Sequence, residues 1–358
     1  MPSIKQAAET MLNNVILPFW MKLKDEEHDG YYGLVDFDLQ VDKTAEKGCI
    51  LNSRILWFFS EAAILTGRAD VAACARHAYE WFEAHCFDQE HGGVYWSCDY
   101  LGRPLDTTKH TYNQGFAIYA LSAYYRLTGE LRTLTRALEI FRLIENRCTD
   151  AEGYLEAFTV DWQPESNEKL SENGVMAEKT MNTLLHVFEG YAGLYQASRD
   201  PSVGQAMRRI LEIYADKIYS PKLHRQLVFF DKHYHSIIDL YSYGHDIESS
   251  WLIDWGCALL GDAALTAKIT APWNGGSTST PPQTPILWNG WGSTPCSTPA
   301  PSSWMAGSTW QPGWRATTAR AFLRWLRATA RWTASASGTS PSSCPTPAPT
   351  RPTSMICG

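Results

Sequence analysis

His28-Asp29-Gly30-Tyr31-Tyr32-Gly33 is echoed by His91-Gly92-Gly93-Val94-Tyr95-Trp96 and, more weakly, by Glu152-Gly153-Tyr154-Leu155. The aligned glycines 30, 93 and 153 lie 63 and then 60 residues apart. Each echo opens a short apolar-aromatic, strand-like run, followed by a polar loop and a long helical pattern. A repeat of this size marks stacked supersecondary units that bury one continuous core together. Between the loops, apolar residues recur at i, i+3, i+4 spacing, as in Ile55, Phe58, Phe59 and Ala62. The pattern predicts helices at 3–19, 50–66, 70–86, 110–128, 131–147, 178–198, 202–217 and 246–261, with Gly67, Gly129 and Gly261 as stops. Paired helices at about sixty residues per pair imply an all-α fold, a toroid of helical hairpins with short β-hairpin loops. A ring of six pairs would need about 360–400 residues at that spacing. Four pairs are legible, so the ring is expected to be incomplete at the C-terminus.

Composition narrows the class. The chain has 358 residues, a net charge of -7 and nine cysteines. The acidic balance argues against nucleic acid or any partner bound mainly through phosphates. An odd number of cysteines without CxxC pairs reads neither as a disulfide framework nor as a zinc site. Met1 to Trp20 alternates apolar and polar residues at helical spacing, without the continuous apolar run of a signal peptide or membrane span. No GxGxxG, P-loop or metal-ligand spacing is present, so no cofactor is expected. These features predict a soluble, reduced, cytoplasmic protein, a monomer if the ring closes.

The last acidic residue is Asp262, the last histidine His245 and the last lysine Lys268. From Ala271 onward the charged residues are six arginines, yet the stretch holds 13 of the 19 prolines and 8 of the 15 tryptophans. Disordered linkers are poor in Trp, and folded domains rarely avoid Asp, Glu, Lys and His together. The division expected is a helical domain over 1–268 and an aberrant tail over 269–358. On composition the tail reads as out-of-frame translation of a GC-rich gene; a natural low-complexity tail is the alternative. Within it only Thr318 to Trp332 has a helical pattern.

Four segments interrupt apolar helix starts with polar groups. Asn52-Ser53-Arg54-Ile55-Leu56-Trp57 places a guanidinium at the mouth of a core helix, where its fork of donors suits an oxyanion or sugar oxygens. An interhelix salt bridge is the plainer reading. Lys109-His110-Thr111-Tyr112-Asn113 carries a histidine that reads as structural. Asn182 and His186 are i and i+4, hence on one helix face. In Tyr243-Gly244-His245-Asp246-Ile247-Glu248 an imidazole stands beside two carboxylates, which should favour its protonated form and suit proton transfer.

These segments resemble the N-acylglucosamine 2-epimerase superfamily, most closely its cellobiose 2-epimerase branch, from about Ile16 to Gly261. The resemblance rests on Asn52 to Trp57, Gly92 to Trp96, Lys109 to Asn113, Lys179 to Asn182 with His186, and Tyr243 to Asp246 with Glu248 and Trp251. It implies a metal-free (α/α)6 barrel that opens a reducing-end sugar, removes the C2 proton to give an enediolate, and reprotonates the other face. Arg54 would supply positive charge, and His186 and Asn182 would hold sugar oxygens. His245 matches one of the family's two catalytic histidines. Glu248, Tyr112, Trp57 and Trp251 would line the substrate site, with Trp96 a further stacking candidate. Two family features have no counterpart here: no histidine follows His245, and no Trp-Trp pair exists. Loss of one proton-transfer group typically costs about 10²–10⁴-fold in rate.

Rival readings are an N-acylglucosamine 2-epimerase or an aldose–ketose isomerase on the same barrel, and a non-catalytic sugar-binding barrel. A glycoside hydrolase would need two carboxylates facing each other across a scissile bond. Asp246 and Glu248, two residues apart on a helix, diverge instead.

Overall fold

The computed structural model describes residues 3–170 and 175–270. The tail from 271 to 358, including the helical pattern at Thr318 to Trp332, lies outside the described residues. The helices are α1 (Ile4–Met11), α2 (Leu17–Met21), α3 (Cys49–Thr66), α4 (Ala69–His85), α5 (Thr111–Thr128), α6 (Leu131–Arg147), α7 (Met181–Ser198), α8 (Pro201–Ile213), α9 (Tyr243–Leu260) and α10 (Ala263–Thr270). All eight spans read from periodicity are present, and Gly67, Gly129 and Gly261 are left-handed C-caps with φ of 66°, 76° and 63°. The last helix, α10, was not read from the sequence; Ile269 within it is buried, so ordered packing runs past residue 268.

The first predicted helix is divided. A π segment, Leu12–Ile16, separates α1 from α2, and the Leu17 amide reaches back to the Leu12 carbonyl. The wider turn sits just before Pro18, which has no amide to continue an α ladder. A capping box between Ser3 and Gln6 starts α1, and Asp200 caps α8 ahead of Pro201 at its first position.

The helices sort into two layers. Helices α3, α5, α7 and α9 pack side by side, α3 on α5, α5 on α7 and α7 on α9. They are apolar on most sides and form an inner wall; α5 is buried from Thr111 to Tyr124. The α1–α2 segment, α4, α6 and α8 lie outside with one apolar stripe each, as in α6 with Ala137, Ile140, Phe141 and Ile144 inward. Helix α3 is long and apolar enough to cross a bilayer, but half of it is buried within this wall. The closest inner approach joins α5 to α7. A Cβ on Gly190 would stand 2.4 Å from the Gly115 carbonyl oxygen, so only glycine permits this spacing.

Each outer helix is followed by a turn and short antiparallel strands that lead to the next inner helix. The repeated glycine motif closes these turns: the amides of Asp25, Asp88 and Asp150 donate to the carbonyls of Gly30, Gly93 and Gly153, each at 2.9 Å. Each of the three aspartates holds a buried lysine placed two residues before α3, α5 or α7. Lys47 Nζ lies 2.8 Å from Asp25, Lys109 Nζ 2.6 Å from Asp88, and Lys179 Nζ 2.8 Å from Asp150. Trp81, Trp162 and Tyr234 cover the respective ammonium groups at 5.4, 4.7 and 4.8 Å. Burial pushes the Asp88 carboxyl up, but Lys109 and the amides of His91 and Glu90 outweigh it and hold it at about 2. The fourth turn keeps the aspartate, Asp231, whose carboxylate takes the His233 and His235 amides. The position two residues before α9 is Tyr241, not lysine.

Lys109→Met should leave Asp88 buried without a counter-charge and cost about 3–5 kcal/mol in urea unfolding. The double variant Lys109→Met/Asp88→Asn should recover most of that loss. A single variant within about 1 kcal/mol of wild type would show that the pair does not hold the turn.

Candidate active site

The lysines fix where α3, α5 and α7 begin, and residues counted from the starts of all four inner helices fall into shared levels. The sixth residues are Arg54 on α3, Phe116 on α5, His186 on α7 and Glu248 on α9. The ninth residues, nearly one turn further on, are Trp57, Tyr119, Glu189 and Trp251. Tyr112 and Asn182 are second residues, one turn before Phe116 and His186. The wall therefore carries its polar groups in tiers near the N-terminal ends of its helices.

Contacts run around the tiers. The Arg54 guanidinium lies 4.6 Å from the Phe116 ring centre, and Phe116 lies 4.7 Å from the His186 ring. Tyr112 meets His186 edge-on at 5.1 Å, and the His186 and His245 rings are 6.3 Å apart. Ligand atoms of His186, His245 and Glu248 all lie within 4.8 Å of one another. One level further along the helices, Trp57 stacks on Tyr119 at 5.2 Å, and Tyr119 approaches Trp255 at 6.4 Å. Trp251 stacks on Trp255 at 6.4 Å and packs against the main core. Trp96 packs on His110 at 4.7 Å, and Lys169 covers its ring. His110 is buried, and desolvation lowers it to about 4.

His245 and Glu248 thus meet His186, but Asp246 does not join them. Its carboxylate accepts from the Gln226 amide at 3.3 Å and from Gln226 Nε2 at 3.1 Å. The expectation of two carboxylates beside His245 is corrected to one, Glu248, because residues two apart on a helix point to different sides. Ser242 Oγ lies 2.6 Å from His245 Nδ1 and fixes that ring from the loop side.

Electrostatics follow from burial. Desolvation holds His186 down to about 4, with Glu248 favouring and Arg54 opposing its protonation, so the ring is neutral at pH 7. Desolvation raises Glu189 to about 7, against the pull of Arg54 and a hydrogen bond from Tyr119. His186 Nδ1 and Glu189 Oε2 are 2.8 Å apart, which orients the imidazole. Burial also raises Glu248, opposed by His186 and Arg54 and aided by Glu189. Tyr112 is raised to about 12 by desolvation and remains a phenol.

Trp57 Nε1 and Asn182 Oδ1 are buried without a partner among the described residues, as are His110 Nδ1 and Asn113 Oδ1. Such groups cost free energy unless a ligand or water completes them. A donor and an acceptor beside an aromatic wall suit sugar hydroxyls. The spacing of His186, His245 and Glu248 would also admit a metal ion, although the neighbouring Arg54 charge opposes a cation. Glu189, Phe116, Tyr119 and Trp255 were not read from the sequence. Glu189 had a visible signal: it is the one acidic residue in the apolar stretch Met181 to Ser198, and stands i+3 from His186.

The sequence profile described as N-acylglucosamine 2-epimerase (GlcNAc 2-epimerase) matches residues 30–266. The chain is 49% identical over 274 residues to the cellobiose 2-epimerase of Eubacterium cellulosolvens, covering 72% of this chain and 68% of that one. It is 47% identical over 254 residues to the cellobiose 2-epimerase of Ruminococcus albus, covering 71% and 65%. The crystal structure of a sugar epimerase from a ruminal bacterium matches with a TM-score of 0.74 at 44% identity, covering 75% of this chain and 69% of that chain. The chain spans about two thirds of the length of these relatives.

His186 and Glu189 bias stability in opposite directions. The lowered His186 contributes stability that is present above its ordinary value of 6.5 and lost as pH falls towards 4. The raised Glu189 contributes stability present below its ordinary 4.5 and lost as pH rises towards 7. The two slopes cancel between these values. Glu189→Gln should unmask the histidine: relative to wild type, the variant gains stability by up to about 1.4 kcal/mol per pH unit from pH 4.5 to 6.5. Urea midpoints at the two ends of that window test this, and a pH-independent difference would contradict it.

Proposed function

Because the chain belongs to the N-acylglucosamine 2-epimerase family, we propose that it is a cellobiose 2-epimerase. It would convert the reducing-end glucose of cellobiose, and of similar β-1,4-linked disaccharides such as lactose, reversibly to mannose. The fold proposed is an (α/α)6 barrel incomplete at its C-terminus, with residues 1–268 as the epimerase domain, acting as a cytoplasmic monomer whose chemistry uses no metal or cofactor. The observation that carries the reading is the sixth-residue tier of Arg54, His186 and Glu248, with His245 turned into it.

The C2 proton of an open-chain aldose is only weakly acidic, so its removal needs preorganised stabilisation of the enediolate. Arg54 supplies fixed positive charge. His186, neutral at pH 7, hydrogen-bonds a sugar oxygen without itself acquiring charge, and Glu189 fixes its orientation. Asn182 Oδ1 and the Trp57 indole N–H accept from and donate to sugar hydroxyls. His245, held by Ser242 with Glu248 beside it, takes the C2 proton from one face and passes it to solvent, and water delivers a proton to the opposite face of the enediolate. Tyr112 and the Trp57–Tyr119 stack form the apolar wall against which pyranose faces lie, and Trp251 extends that wall through Trp255.

The test is NMR of cellobiose incubated in D2O with the purified chain. Deuterium at C2 together with a new glucosyl-mannose signal is expected. A ketose product would favour the isomerase reading. Thermal protection by cellobiose without any C2 deuterium would identify a sugar-binding barrel and overturn the proposal.

A further inference from the structure

Away from the site, three cysteines from three elements meet at one point. Cys49 opens α3, Cys86 caps the C-terminal end of α4, and Cys98 lies in the strand Ser97–Cys98 that pairs with Lys47–Gly48. Each is fully buried, and their sulfur atoms all lie within 4.8 Å of one another. The other described cysteines, Cys74, Cys148 and Cys257, belong to no such group among the described residues. A buried cysteine usually acts as a small apolar side chain and has no reason to seek others. Three from separate segments concentrate soft ligands in the core.

We propose that Cys49, Cys86 and Cys98 form a structural three-sulfur site for one soft d10 cation of the Zn2+ class. Sulfurs about 2.3 Å from a shared ion in trigonal array are about 4 Å apart, which lies within the 4.8 Å limit on the separations of the three sulfurs. A disulfide would require two sulfurs to close to about 2.05 Å and would strand the third. The donor set is all sulfur, which selects soft ions over Mg2+ or Ca2+. Binding is ligand exchange without electron transfer: the ion displaces three thiol protons, and three metal–sulfur bonds form. The Cys98 thiol, which now donates to the His85 carbonyl at 3.3 Å, would turn to the metal. The complex carries one net negative charge, which the positive N-terminal end of α3 at Cys49 offsets. Occupancy would pin the start of an inner helix to the end of an outer one, next to the Lys47–Asp25 pair. The inference does not depend on the activity proposed above.

The test titrates the reduced, chelator-treated full chain with Cd2+ and Zn2+. Expected are a thiolate-to-cadmium ultraviolet band saturating at one equivalent, proton release, a rise in Tm, and three sulfur neighbours of Zn2+ by X-ray absorption. Cys98→Ala should lose the band, whereas Cys296→Ser/Cys344→Ser/Cys357→Ser should retain it. Should Cys98→Ala fail to fold, the tail variant and X-ray absorption on wild type decide. No band, a nitrogen and oxygen coordination shell, or a band lost with the tail cysteines would each overturn the proposal.

Discussion

A lysine ammonium removed from water must meet a carboxylate, and three times in this chain it meets the aspartate of the preceding turn. Desolvation makes an unpaired partner costly, so the pairing admits few alternatives. The aspartate has already organised its turn by accepting two backbone amides: Glu27 and His28 at Asp25, Glu90 and His91 at Asp88, Glu152 and Gly153 at Asp150. Each pair therefore couples a turn that follows an outer helix to the first turn of the next inner one. Where the fourth lysine is replaced by Tyr241, Arg225 stacks on that tyrosine and pairs with Asp239, an arrangement nearer the surface.

Fixed starting points turn four separate helices into a shared set of tiers. With α5 and α7 brought together at Gly115 and Gly190, the side chains one level apart meet around the wall rather than at random heights. The sixth-residue tier carries the charge and the imidazole, the ninth-residue tier the aromatic floor and Glu189. The loops contribute Ser242, whose hydroxyl braces His245. Backbone registration thus does the positioning, and chemistry depends on the identity of a few residues at set distances from each helix start.

Much of this was legible because helical periodicity and glycine stops are local signals. Helices α3 to α9 follow from spacing that survives without tertiary context, and Arg54, His186, His245 and Glu248 stood out as polar breaks in apolar stripes. The lysine–aspartate pairs were not read, because a single Lys or Asp in a sequence looks like surface; only the fold shows Lys109 and Asp88 buried against each other. Their regularity was nevertheless present, aspartates at 25, 88 and 150 and lysines two residues ahead of α3, α5 and α7. Glu189 was not singled out, because in the sequence it stands three residues from His186 rather than beside it. Asp246 was over-read for the opposite reason: adjacency in sequence suggested a partner for His245, while the helix turned it to Gln226. The cysteine cluster left no sequence trace, since its members sit 37 and 12 residues apart on three elements.

In the proposed reaction His245, held in a tier built by α3, α5, α7 and α9, moves the sugar proton. The direct measurement is the rate of C2-deuterium incorporation into cellobiose by His245→Gln, compared with His235→Gln, an exposed histidine paired with Asp231. A loss of about 10²–10⁴-fold is expected for His245→Gln and a near wild-type rate for His235→Gln, both variants remaining folded. Equal incorporation by wild type and His245→Gln would contradict it.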